Sequence, residues 1–297
     1  MKVLLLGSKG QVGSSLLKSA PKEWEFTSWS REQFDLSNLD LVEKHFSRLQ
    51  NIDLVINAAA YTQVDLAETQ LDLANELNFK LPELLAKECA KRNIPLVHYS
   101  TDYVYPGSGE HFRVEDEAIG PLNAYGVSKA RGDAAIKASG CKHLILRTSW
   151  VYAEAGKNFV LTMLRLGAER EVLSVVNDQS GSPTFARDIA ELSIEAIQKS
   201  IKASTFPSGV YHLSNSGTCS WFDFSCEIFK QARELGLMLK VQSVNPIESS
   251  AYPQPAKRPK NSRLSLAKLD RTFSLKPRDW KLALQDCLQL AIRENRK

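Results

Sequence analysis

Tyr125 and Lys129 stand four residues apart in 125-YGVSK-129, a spacing that puts a phenol and an ammonium on one face of a helix. An unperturbed phenol, with a pKa of about 10, is a poor proton donor and acceptor at neutral pH. A nearby ammonium favours the phenolate and lowers that pKa, which makes a tyrosine usable in general acid–base work. Thr101 closes the apolar run that contains Ile94, Leu96 and Val97, so its hydroxyl falls at the end of a buried strand and can bond the same substrate oxygen. A polar loop carrying Gly107, Gly109, Gly120 and Pro121 follows, and Asn123 opens the helix. The catalytic set read from these residues is Thr101, Tyr125 and Lys129.

Elements that position such a set begin at the first residues. The run 2-KVLLL-6 ends in Gly7-Ser8-Lys9-Gly10-Gln11-Val12-Gly13, and SSLLKSA after it has helical composition. Strand, glycine turn and helix in this order form a dinucleotide site: Gly7 for the tight turn, Gly10 for backbone approach to the pyrophosphate, Gly13 for close helix packing. The helix N-terminus offers amide groups and a positive dipole to the phosphates. The spacing is GxxGxxG rather than the commoner GxGxxG. A second strand, 24-WEFTSWSR-31, ends in Ser30 and Arg31 where NAD-binding folds place an acidic residue, so NADPH is expected as cofactor, with NADH also possible. Asp35 and Leu36 follow, then a helix from about Asn38 to Gln50. The strand 53-DLVINAAA-60 ends in small residues, Ala58, Ala59 and Ala60, that let backbone run beside a cofactor.

A helical stretch over 70–92, strands at 95–100 and 143–150, a helix at 157–170, a strand near 172–176 and a helix at 187–202 continue the alternation. The expected fold is α/β, a doubly wound parallel sheet of Rossmann type with ligands beyond the strands' carboxyl ends. Gly7, Ala58, Thr101 and Trp150 fall at such ends. Past residue 203 the rhythm weakens into strands at 209–215 and 239–244, helices at 221–236 and 278–295, and a non-periodic Pro- and Lys-rich loop over 246–264. The division expected is a cofactor domain over 1–203 and a smaller, mainly substrate-binding lobe over 204–297, with interleaved elements.

Composition bounds the alternatives. The chain has 297 residues, is 43% hydrophobic and 24% charged, and carries a net charge of +4 with its basic residues scattered except in 257-KRPK-260 and at the extreme C-terminus. That is ordinary for a folded protein and gives no basic stripe for nucleic acid. No apolar run approaches membrane-spanning length, and MKVLLLG enters a glycine turn directly, so neither a membrane span nor a signal peptide is expected. Five cysteines without CxxC spacing suit reduced thiols in a cytoplasmic protein, and no metal site is expected.

GxxGQxG, NAAAYTxVDxAE, STDYV, YGxSK, RTSWVY, NDQxGxPT and RPxNSRL occur in this order. With them the chain resembles the dTDP-4-dehydrorhamnose reductase family of the extended short-chain dehydrogenase/reductases, from Met1 to about Trp280. The resemblance implies reduction of the 4-keto group of dTDP-4-dehydro-β-L-rhamnose by NAD(P)H, giving dTDP-L-rhamnose for surface polysaccharide. It implies that Tyr125 donates the proton, that Lys129 holds the nicotinamide ribose, and that Thr101 replaces a serine often found there. By position it assigns Thr62, Val64, Asp65, Tyr103 and Trp150 to the substrate, with Arg258, Asn261 and Arg263 in the C-terminal motif. Members that dimerise through magnesium have a glutamate shortly after the third glycine. Ser14 and Ser15 stand there, so a monomer or weak homodimer is expected. Two other readings stay open: a ketoreductase or epimerase of another nucleotide sugar, and a non-catalytic NADP-binding regulatory subunit.

Overall fold

The structure is a computed structural model that describes residues 1–30 and 35–294. Its first half alternates strand and helix: β1 (Lys2–Leu6), α1 (Gln11–Ser19), β2 (Glu25–Trp29), α2 (Leu39–Arg48) and β3 (Leu54–Asn57). Then come α3 (Leu71–Asn75), a π-helical turn at Glu76–Lys80, α4 (Leu81–Arg92), β4 (Leu96–Thr101), α5 (Ala124–Ala138) and β5 (His143–Thr148). The second half is more broken: β6 (Val151–Tyr152), α6 (Phe159–Glu169), β7 (Val172–Val176), β8 (Ser180–Gly181), β9 (Thr184–Phe185), α7 (Ala186–Lys202) and β10 (Gly209–His212). It closes with β11 (Cys219–Ser220), α8 (Trp221–Glu234), β12 (Ser243–Ile247), β13 (Asn261–Ser262), α9 (Ala267–Phe273) and α10 (Trp280–Glu294).

Six strands form the main sheet in the order β10-β5-β4-β3-β1-β2, all of them parallel. Alternate residues of β1 serve opposite faces, the two-residue period of a strand. Leu4 and Leu6 pack with Val42, Phe46, Leu85 and Ile136 of α2, α4 and α5. Val3 and Leu5 pack with Leu16, Ile189, Ile197 and Leu269 of α1, α7 and α9. After β2 the chain returns past β1 to build β3. The strand order therefore reverses between β1 and β3, and a crevice opens at their carboxyl ends.

Two expectations shift at the boundary near residue 203. The strand at 209–215 belongs to the main sheet, paired with β5, because its buried Val210 and Tyr211 complete both faces there. The strand at 172–176 instead pairs with β12 and belongs to the smaller lobe, whose core gathers Tyr152, Phe185, Phe224, Phe229 and Trp280. The strand expected at 239–244 lies at Ser243–Ile247, and a helix, α9, stands where none is expected.

Local signals account for the elements that carry the site. Asn123 caps α5, its side chain accepting from Gly126 N at 2.8 Å, and Glu68 accepts from Ala124 N at 2.8 Å. Two first-turn amides of the Tyr125 helix are thus satisfied. Gly132 lets α5 lie against the π-helical turn, since a Cβ there would come within 2.2 Å of Asn78 O. Asn78 in turn bonds Ser128 Oγ and both main-chain polar groups of Tyr61, locking α5 to the loop after β3.

Candidate active site

The glycine turn fits a dinucleotide. Gly7 has φ +77°, and a Cβ on it would meet Ala59 N at 2.6 Å, while one on Gly13 would meet Gly7 O at 2.2 Å. Turn, helix and the Ala58–Ala60 segment therefore pack closer than side chains permit, at the reversal point of the sheet. Gly10 is the N-cap of α1 and has no side chain to cap it, and no acidic residue lies in the first turn, so the amide end of the helix can face a pyrophosphate. Val12 is half-buried, and Gln11 receives Asn158 Nδ2 at 3.2 Å from the second half of the chain. Ser30 is buried at the end of β2. Arg31 lies outside the described residues. Asp35 accepts from Ser37 N and Oγ, which makes it a turn-former, and Leu36 is buried in the core.

Thr101 and Tyr125 come together. Tyr125, on α5, lies near the Thr101 hydroxyl at the carboxyl end of β4, which opposes the rise in its pKa. Thr101 Oγ1 donates to Asp102 Oδ1 at 3.2 Å and accepts from Tyr103 N at 3.2 Å. Asp102 is buried, also bonded by the Ser262 hydroxyl, and burial pushes its carboxyl up to about 6. STDYV contains this carboxylate, but β4 gives no sequence sign that it turns inward. The extra acceptor is visible only in the fold.

Lys129 does not behave as its spacing predicts. Its Nζ donates to Tyr99 O at 2.6 Å and lies 3.1 Å from His98 Nε2, both on β4. Burial lowers its pKa to about 8, against the pull of Asp133. Tyr125 is correspondingly raised well above the ordinary phenol value, by burial foremost, with only the nearby Thr101 hydroxyl opposing. The ammonium-lowered phenol is thus corrected for this state: side chains at i and i+4 share a face, but the strand beneath offers the lysine a carbonyl that the helix alone does not reveal. Behind Lys129 stand two buried residues that no spacing or motif singles out, Asn57 and His98, with Asn57 Nδ2 3.1 Å from His98 Nδ1.

The wall of the site comes from sequence-distant loops. Arg258 Nη2 pairs with Asp65 Oδ2 at 2.6 Å, and Ala256 N donates to Asp65 Oδ1 at 3.2 Å. The Arg258 guanidinium lies 6.0 Å from the Tyr103 ring, whose centroid is 5.6 Å from that of Tyr125 in an edge-on pair. Burial raises Tyr103 to about 12. Thr62 is exposed and Val64 half-buried on the same loop as Asp65. Two C-terminal candidates also bond a neighbouring loop. Asn261 is buried and donates to His111 O at 2.8 Å, and Arg263 Nη1 donates to Glu110 O at 2.7 Å. Both tie the C-terminal loop to the 106–113 loop, and both line the cleft described below. Trp150, at φ +47°, stacks on Trp221 with centroids 3.6 Å apart and presses on Gly181, where a Cβ would fall 2.6 Å from the indole. Its stacking partner Trp221 carries no spacing signal in the sequence. Above these residues lies a cleft of about 1000 Å³ lined by Asp178, Gln179, Tyr252, Arg258, Lys260 and Arg263.

Comparison with known proteins agrees over the full length. The family model described as RmlD substrate binding domain matches residues 1–292. A dTDP-4-dehydrorhamnose reductase of Salmonella typhimurium is 41% identical over 292 residues, 97% of each chain. The crystal structure of a dTDP-4-dehydrorhamnose reductase from Clostridium acetobutylicum superposes with a TM-score of 0.90 at 35% identity, over 98% of this chain and 99% of that one. One from Bacillus anthracis, solved in complex with NADP, gives 0.89 at 34% identity, over 97% and 98%.

Proposed function

The chain belongs to the RmlD substrate binding domain family, and from that premise we propose that it is a dTDP-4-dehydrorhamnose reductase, reducing the 4-keto group of dTDP-4-dehydro-β-L-rhamnose with NADPH. The observation that carries this reading is the placement of Tyr125, on α5, beside Thr101 at the carboxyl end of β4, on the sheet edge that holds the glycine turn. NADPH, when bound, supplies the hydride that adds to carbon 4. Tyr125 gives its proton to the developing alkoxide, and the Thr101 hydroxyl holds the phenol in place for that transfer. Burial keeps Tyr125 protonated, so the acid is in its donating form before the substrate arrives. Gly7, Gly10 and Gly13 let backbone amides meet the pyrophosphate, Ala58–Ala60 flank the ring system, and Lys129 takes the nicotinamide ribose. Ser30 and Arg31 favour the 2′-phosphate of NADPH, with NADH a poorer hydride source.

The cleft over Arg258 is of the size that takes a small nucleotide ligand. Arg258 meets the diphosphate once its pairing with Asp65 is exchanged, and Tyr103 faces the sugar side. We read residues 1–203 as mainly cofactor-binding and 204–297 as mainly substrate-binding. The five dispersed cysteines suit a cytoplasmic enzyme, and Ser14 and Ser15 suit a monomer or weak homodimer. No helix among the described residues is long and apolar enough to cross a membrane.

Purified protein mixed with NADPH and dTDP-4-dehydrorhamnose tests the proposal through loss of nicotinamide absorbance. Turnover to dTDP-L-rhamnose is expected. NADPH binding without turnover would instead identify a regulatory subunit.

A further inference from the structure

Asn57, His98 and Lys129 form a buried chain whose hydrogen-bond directions can be worked out atom by atom. Ala59 N–H lies 3.2 Å from one side-chain atom of Asn57. An amide N–H only donates, so that atom is Oδ1. The other is then the NH₂ group, which also only donates, and it faces His98 Nδ1 at 3.1 Å. Nδ1 therefore accepts and carries no proton. A neutral imidazole bare at Nδ1 bears its proton on Nε2. That Nε2–H points at Lys129 Nζ, 3.1 Å away, while Nζ donates to Tyr99 O. An amine can accept from Nε2–H and still donate to the carbonyl. An ammonium has no lone pair, and its protons would meet the Nε2 proton head-on.

Of the surrounding charges only Asp133 acts on the lysine, favouring its ammonium, and no ionic group other than His98 touches the nitrogen. On β5, Arg147 is held by Asp133 of α5 at 3.0 Å, both buried. Asp102, after β4, is bonded by Thr101 and Ser262, and Glu68 by the first amide of α5. The ionic groups of the π-helical turn and α4 pair among themselves, Glu76 with Lys80, Glu83 with Lys87 and Glu88 with Lys91. Asp72 of α3 is exposed. Tyr125 stays protonated, and His98, fully buried, is driven well below the ordinary histidine range. Only His98 touches the lysine nitrogen among these groups.

We propose that Asn57 and His98 form a proton-linked latch that holds Lys129 as an uncharged amine in the ligand-free protein at mildly alkaline pH, and that cofactor binding releases it with uptake of one proton from solvent. The nitrogen loses the Nε2–H contact, gains the solvent proton and meets the ribose hydroxyls as an ammonium. Asn57 and His98 are positioning residues, acting through Lys129. The release step rests on the cofactor reading above, but the latch itself is a property of the ligand-free chain.

The two parts are tested separately. Nitrogen-15 NMR of the ligand-free protein reads the tautomer without cofactor: a neutral ring protonated at Nε2 is expected for His98, and a proton on Nδ1 overturns the latch. Calorimetric titration with NADP⁺ near pH 9, in two buffers of different ionisation enthalpy, reads proton uptake, expected at about half a proton or more per site. Asn57→Asp keeps an acceptor for Ala59 N and places a second before His98, which moves the ring proton to Nδ1 and leaves Nε2 free to accept from an ammonium. Uptake should then fall toward zero while NADP⁺ still binds. His98→Gln, whose side-chain oxygen also accepts from an ammonium, should do the same, covering the case in which the buried aspartate hinders folding. Zero uptake by the parent protein, or uptake unchanged in the variants, would overturn the proposal.

Discussion

The floor and the wall of this site use the same residue types under different physics. On the floor, Asp133 and Arg147 pair at 3.0 Å with 0% and 1% of their side chains exposed. On the wall, Asp65 and Arg258 pair at 2.6 Å with 36% and 15% exposed. The shorter pair is the weaker one to lose, because water replaces a lost partner at the rim and cannot on the floor. Burial on the floor also shifts proton equilibria, raising Tyr125 and Asp102 and lowering Lys129. A wall of solvated charges can open for substrate, whereas the floor is built to stay.

The comparison can be broken at four places. The largest effect is expected from Tyr125→Phe, which removes the proton donor and leaves the ring packed against Tyr103. Turnover should drop by roughly 100- to 10,000-fold while NADP⁺ affinity, followed by calorimetry, stays within a few-fold. Activity near that of the parent would place the acid elsewhere.

Next is Asp133→Asn, which strands the buried Arg147 guanidinium. A loss of about 3–5 kcal/mol is expected from urea unfolding. A loss under about 1 kcal/mol would mean that the floor pair is worth no more than a rim pair, and the contrast would collapse.

Asp102 gives a smaller, pH-dependent effect. Burial raises its carboxyl from 3.8 to about 6, so across roughly pH 4–6 the folded protein keeps a proton that the unfolded chain has released. The folded state binds more protons, so this residue's contribution falls as pH rises through that window. At about 1.4 kcal/mol per tenfold change in proton affinity, the fall amounts to about 3 kcal/mol. Midpoints of unfolding measured from pH 4 to 7 should show this slope in the parent and lack it in Asp102→Asn.

The smallest effect belongs to the wall. Arg258→Ala should change stability by less than about 1 kcal/mol, yet weaken dTDP binding in the presence of NADP⁺ by about tenfold, for one charge-assisted bond. Unchanged affinity would make the pair with Asp65 a purely structural clasp.

How much of this was legible follows from the range of each signal. The glycine turn, the β4 terminus and the YGVSK helix are local patterns, and their spacing placed Gly7, Gly13, Thr101 and Tyr125 where they stand. β10 was recognisable as a strand but not as the sixth member of the main sheet, because edge position depends on what covers its faces. Asn261 and Trp150 carried the right motif, yet their contacts with His111 and Trp221 join segments 60 or more residues apart.

The sequence by itself determined the alternation of strand and helix, the parallel sheet and the phenol at its ligand edge, since strand and helix periods and glycine's lack of a side chain act within a few residues. Tertiary structure alone decided the protonation landscape. Lys129 meets Tyr99 O and His98 rather than standing beside a charged phenol, Asp102 turns inward toward Ser262, and Arg258 closes on Asp65. Which donor faces which acceptor, and how much water remains between them, depends on packing between distant segments, and desolvation sets the charge of a group only after that packing is complete.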